Sequence, residues 1–145
     1  VYLPAIELQE VQEGDTILLP AFGTETILLV DDEEAVRDLG KRILVRAGYT
    51  VLVAENGQEA LDVFKAEHEN IALVVLDLIM PRMGGKDCLK ELVQLHPQVK
   101  VLIASGFVAD TAPRDYIGLG AKGFVSKPFR LRELLDRVRK TLDAT

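Results

Sequence analysis

The stretch "ETILLVDDEEAV", residues 25–36, sets two incompatible tendencies side by side. Thr26 to Val30 are β-branched or aliphatic, the composition of a buried strand, and Asp31 to Glu34 follow as four consecutive acids. Clustered carboxylates repel one another and raise the free energy of a fold unless a cation or a proton offsets them. Beyond them, Val36, Leu39, Ile43 and Ala47 recur at steps of three or four, which predicts one buried face of a helix. The segment therefore reads as strand, acidic turn, helix.

The same alternation continues outward. Short, nearly unbroken apolar runs stand at Ile27–Val30, Val51–Ala54, Ile71–Leu76, Val101–Ala104 and Gly123–Ser126. Such runs suit parallel strands covered on both faces. Between them lie helical stripes: Ala60, Leu61 and Phe64; then Cys88, Leu89, Leu92 and Val93; and finally Leu131, Leu134, Leu135, Val138 and Leu142. A shorter helix is expected around Thr111 to Leu119, with Pro113 in its first turn. Gly48 and Gly120 are placed as helix C-terminal stops. Asn56-Gly57 carries a hairpin signal, but helical spacing follows it, so it reads as a strand-to-helix loop. Five strands each followed by a helix predict an α/β sandwich with helices on both faces of a parallel sheet.

Composition narrows the function classes. The chain has 145 residues, 48% of them hydrophobic and 28% charged, which is globular composition for one domain with an appendage. Residues 1–24 hold Glu7, Glu10, Glu13 and Asp15 and no Lys or Arg, which leaves 17 basic against 19 acidic side chains for residues 25–145. No basic surplus exists for a phosphate backbone, so nucleic acid is not an expected partner. Cys88 is a lone cysteine expected to pack as a small apolar residue, and no Cys/His spacing points to zinc. No apolar run approaches the roughly 20 residues of a membrane span, and the chain reads as a cytoplasmic domain.

In an open parallel sheet, ligands bind beyond the carboxyl ends of the strands, where the strand order reverses. The first predicted strand ends in Asp31-Asp32, the third in Asp77, the fourth in Ser105-Gly106 and the fifth in Lys127-Pro128. Carboxylates, a hydroxyl and an ammonium thus arrive at one edge. Grouped carboxylates form a hard oxygen site suited to Mg2+, and a carboxylate is also a nucleophile toward phosphorus. The acids at 31–34 have a plainer reading as helix N-terminal residues favoured by the macrodipole. That reading suits Glu33 and Glu34 and accounts less well for Asp31 and Asp32.

"LLVDDEE", "LVVLDLIMPRMGG", "VLIASG" and "GFVSKPF" together resemble the receiver domain of two-component response regulators, over about residues 25–143. The resemblance implies a flavodoxin-like three-layer sandwich with five parallel strands in the order 2-1-3-4-5 and five helices. It makes Asp77 the phosphoacceptor. Mg2+ would be held by Asp31, Asp32 and Asp77 and by the backbone carbonyl of Ile79. Lys127 would contact the phosphoryl group, Ser105 would move to hydrogen-bond it, and Phe124 would be the aromatic that turns inward with it. The Lys127-Pro128 bond would be cis. Ile79 and Phe107 fall at positions that tune dephosphorylation in relatives. The expected partner is the phosphohistidine of a histidine kinase or phosphotransfer domain, with dimerisation through the fourth and fifth helices as a further option.

Residues 1–24 read as a linker, and residues 25–145 as the receiver. "VYLPA" at residues 1–5 resembles the last strand of a sensor histidine kinase ATP-binding domain, which implies the C-terminal receiver of a hybrid kinase; the alternative is a stand-alone regulator. A magnesium-dependent aspartyl-phosphate phosphohydrolase is a more distant alternative. Such enzymes usually carry a second Asp two residues after the nucleophile, where Ile79 stands here. His68 and His96 have no sequence neighbour implying catalysis, and Met80 and Met83 read as loop or gap-filling residues.

Overall fold

The computed structural model describes residues 23–78, 83–106 and 116–144. Five strands, β1 (Thr26–Val30), β2 (Thr50–Ala54), β3 (Ile71–Asp77), β4 (Val101–Ser105) and β5 (Gly123–Ser126), form one sheet in the order β2-β1-β3-β4-β5. Every pairing is parallel. The helices are α1 (Glu34–Arg46), α2 (Gly57–Glu67), α3 (Gly85–Leu95), α4, of which residues 116–118 are described, and α5 (Leu131–Asp143). The fold and strand order implied by the resemblance are those observed. The strands expected from their apolar runs match within a residue.

Two hydrophobic cores lie on opposite faces of the sheet. On one, Leu28, Val74, Leu76 and Ile103 pack against Leu61 and Phe64 of α2 and Leu89 and Leu92 of α3. On the other, Ile27, Leu29, Val75 and Leu102 pack against Ile43 and Leu44 of α1 and Leu134 and Val138 of α5. Alternate residues of each strand therefore feed opposite cores, and both sets are apolar because neither face of the central strands meets water. The edge strands are less covered: Val53 of β2 is 37% exposed, and Ser126 of β5 is exposed.

Local chemistry sets the helix boundaries. Asn56 Oδ1 accepts the Glu59 amide at 2.8 Å, and Glu59 Oε1 accepts the Glu55 amide. This arrangement resembles a capping box and starts α2 where the Asn-Gly pair had to be assigned to a loop. Gly48 and Gly120 take φ of +105° and +116°, the left-handed values expected after helix ends.

Two buried stripes depart from the spacing. Leu39, expected on the buried face of α1, is 40% exposed. Gly40 instead lies against Leu29 and Phe129, so the buried ridge of α1 runs Gly40, Ile43, Leu44, and Leu39 is rotated to its edge. Leu131 opens the stripe of α5 but is 53% exposed. Thr141 is buried instead, its hydroxyl donating to Arg137 O at 2.7 Å. The expected helix around Thr111–Leu119 falls mostly outside the described residues.

Candidate functional site

Register brings the candidate residues to one edge. Val30 pairs with Leu76, so the next residues along the two strands, Asp31 and Asp77, stand side by side. Asp77 in turn pairs with Ala104, and Ser105 with Ser126, so Lys127 follows one residue beyond Ser105, with its amide donating to Ser105 O at 2.9 Å. β1 lies between β2 and β3, so this is where strand order reverses.

The side chains converge. Lys127 Nζ lies 2.9 Å from Asp31 Oδ2 and 3.2 Å from Asp77 Oδ1, with Glu33 Oε1 at 3.5 Å. Asp31 and Asp77 are buried, while Asp32 is exposed. The Glu33 amide donates to Asp31 Oδ1 at 2.9 Å and fixes the turn into α1. Arg37 Nη1 donates to the backbone oxygen of Asp31 at 2.8 Å. Asp32, Asp77, Ser105, Gly106 and Lys127 line a cleft of about 390 Å3. The Lys127-Pro128 bond is cis, as the resemblance implied.

The charges do not balance. Among the described residues, the carboxylates of Asp31, Asp32 and Asp77 are paired with one ammonium, that of Lys127. Burial, and then the charge of Asp31, push the Asp77 carboxyl up to about 6 from its ordinary 3.8, despite the opposing pull of Lys127. Burial alone would lower the Lys127 pKa, but its close contact with Asp31 and the charges of Asp77 and Asp31 raise it overall, so it stays an ammonium.

The donor set fits a hard divalent cation. One oxygen from each of Asp31, Asp32 and Asp77 lies within 4.8 Å of the others, close to the span of a six-oxygen shell with bonds of about 2.1 Å. Asp31 Oδ2 is buried, and although Lys127 Nζ faces it at 2.9 Å, no donor among the described residues is aligned to it in a hydrogen bond. A buried carboxylate oxygen in that state is one a cation can still satisfy. The exposed side, at Asp32, leaves room for the waters that Mg2+ retains.

Ile79 and Phe107 lie outside the described residues. Phe124 is half-buried and does not line the cleft; its ring meets Tyr116 edge-on, with centroids 6.4 Å apart. Sequence reading missed Arg37 and took Glu33 only as a helix N-terminal residue. A basic residue one turn into the helix after an acidic doublet was the available signal. Cys88 is buried, and burial pushes its thiol up to about 12, consistent with an inert packing residue.

Residues 27–139 match the response regulator receiver domain family. The chain is 37% identical over 118 residues to chemotaxis protein CheY of Bacillus subtilis, covering 81% of this chain and 97% of that protein. It is 40% identical over 121 residues to sensor kinase CckA of Brucella abortus, covering 83% of this chain but only 13% of the kinase. Among solved structures, the CheX-CheY-BeF3-Mg+2 complex from Borrelia burgdorferi superimposes with a TM-score of 0.80 at 28% identity, over 83% of this chain and 90% of that one. The chain belongs to the response regulator receiver domains of two-component signal transduction.

Proposed function

We propose that this receiver takes a phosphoryl group from a phosphohistidine onto Asp77, with Asp31, Asp32, Asp77 and the Ile79 carbonyl as ligands of Mg2+. The observation that carries the reading is the contact of Lys127 with both Asp31 and Asp77, on one wall of a cleft that also holds Ser105. Support for the metal comes from the oxygen cluster and from the magnesium named in the related CheY complex. Bound there, Mg2+ supplies positive charge to the equatorial oxygens of the transferring group.

The chain's own residues do the rest. An ionised Asp77 oxygen forms the bond to phosphorus as the phosphorus–nitrogen bond of the donor imidazole breaks, and the imidazole keeps the electron pair. Lys127, held cationic by its two acids, moves from carboxylate to phosphoryl oxygen. Ser105, at the end of β4, offers a hydroxyl hydrogen bond to the same group. Phosphorylation leaves the site with close to two added negative charges. The response is a population shift of β4, α4 and β5 in which Ser105 moves toward the phosphoryl group and the Phe124 ring leaves its edge contact with Tyr116.

Residues 1–24 are a linker in this reading, and the parent is a hybrid sensor kinase. "VYLPA" and the similarity to the CckA receiver segment support that parent. The 97% coverage of CheY favours the second reading, a stand-alone regulator. An ATP-binding domain encoded immediately upstream of Val1 decides for the first.

The test of the chemistry is intact mass after incubation with acetyl phosphate and Mg2+. One phosphoryl adduct that disappears in Asp77→Asn is expected. No adduct contradicts the assignment, and multiple-turnover hydrolysis of phosphoesters would move the protein to the phosphohydrolase class.

A further inference from the structure

Both histidines of the chain meet at a place that the phosphoryl chemistry does not use. His68 is the C-cap of α2 and His96 the C-cap of α3, and their ring centroids lie 6.2 Å apart. The pairing is tertiary, so no sequence spacing announces it. Phe64, buried in the core, backs both rings, its centroid 6.1 Å from that of His68 and 6.3 Å from that of His96. His68 is exposed and His96 half-buried. A hollow of about 140 Å3, lined by Phe64, Lys65, His68 and Leu95, opens beside them.

Three features favour a cation here. Two helix C-termini arrive together, and each presents the negative end of a macrodipole and carbonyls that its own helix leaves unpaired. His68 Nδ1 lies 3.4 Å from Lys65 O, and an Nδ1–H donating to that carbonyl leaves the lone pair on Nε2. Ligating histidines are commonly oriented by such a carbonyl on the second nitrogen. Finally, two imidazoles that share one ion hold their centroids roughly 5–6.4 Å apart, because each nitrogen sits about 2.1 Å from the metal. The observed separation falls inside that range. Lys65 opposes a cation, but its exposed ammonium can turn into water.

We propose that His68 and His96 form a second cation site, which takes a transition ion such as Zn2+, Ni2+ or Cu2+ between the C-terminal ends of α2 and α3. Imidazole nitrogen suits those ions, whereas Mg2+ requires oxygen. Among the described residues, grouped carboxylates lie at Asp31, Asp32 and Asp77 and not here, so the remaining coordination positions fall to water. The two sites lie at opposite ends of the sheet, separated by the length of β3, about 20 Å. An ion at the histidines ties α2 to α3 and leaves the acidic edge untouched. The inference does not depend on phosphorylation of Asp77.

Nitrogen-15 NMR of the histidine rings tests it, with Zn2+ added to the full chain in excess Mg2+. The magnesium loads the carboxylate edge, and the ring signals report on the histidines alone. Both rings are expected to shift together and to saturate at one ion per chain, with the sedimentation of the chain unchanged. His96→Gln should weaken the His68 response by about tenfold or more, and His68→Gln the His96 response likewise. The proposal is overturned if neither ring shifts, if one shifts without the other, or if each variant leaves the remaining histidine's response as it was. It is overturned equally if sedimentation shows zinc joining two chains through these residues.

Discussion

Lys127 Nζ stands 3.2 Å from Asp77 Oδ1, and with 11% and 6% side-chain exposure neither partner is well solvated. The ammonium offsets two buried acids at once, because Asp31 Oδ2 is 2.9 Å away on its other side. Removing one partner of a buried pair leaves an uncompensated charge, which costs more than the pair contributes. Lys127→Met should therefore lower the urea-unfolding free energy of the metal-free protein at pH 8 by about 2–4 kcal/mol. An unchanged midpoint would show that the ammonium is not holding the cluster.

The Asp77 carboxyl carries the opposite sign of effect. Its folded pKa of about 6 exceeds the ordinary 3.8, so the folded state binds this proton more tightly than the unfolded chain. Stability from this group is complete at low pH, falls as pH rises through that window and is lowest above it. In EDTA, Asp77→Asn should be more stable than wild type at pH 8 by about 1–3 kcal/mol. The gap should close toward pH 4, and a gap independent of pH would reject the assignment to this carboxyl.

Metal binding follows the same proton. Ligating carboxylates must be ionised, so Mg2+ affinity should rise as pH increases through about 6 and binding near that pH should release protons. Calorimetry in two buffers of different ionisation enthalpy measures that release. Affinity that is flat from pH 5 to 8, by about the same criterion, would place the metal away from Asp77.

Much of this was legible in the sequence, for identifiable reasons. Each strand run is short and unbroken because it serves two cores, which made the strands plain. The site was legible because parallel register turns strand-end residues into neighbours, so Asp31, Asp77 and Lys127 could be grouped before any distance was known. Leu39 misled because helical spacing gives the direction of a side chain and not what stands opposite. At Gly40 the missing side chain lets Leu29 and Phe129 approach, and the buried ridge moves by one residue. Arg37 was missed because its contact is to the backbone oxygen of Asp31, which no side-chain pattern encodes.

A second network ties the two ends of the domain. Arg139 on α5 reaches Glu25 at 2.7 Å, Asp143 at 2.8 Å and the Tyr49 hydroxyl at 3.3 Å. The hydrogen bond from Arg139 holds the Glu25 carboxyl below its ordinary 4.5. The contribution is thus present above that pH and lost as pH falls through the lowered value. These groups are partly solvated, so Glu25→Gln should cost only about 0.5–1 kcal/mol at pH 7 and less in high salt. Thermal denaturation of the variant across pH 3–7 checks both sign and size, on the order of a few degrees. A penalty that grows toward acid would contradict the pairing.

The most direct test of the central claim locates the acceptor atom. The full chain is incubated with acetyl phosphate and Mg2+, then reduced with borohydride, which converts an aspartyl phosphate to homoserine, and mapped by tandem mass spectrometry. Homoserine at position 77, and none when EDTA replaces Mg2+, is the predicted result. Homoserine at position 31 or 32, or modification at 77 that is indifferent to EDTA, would contradict it.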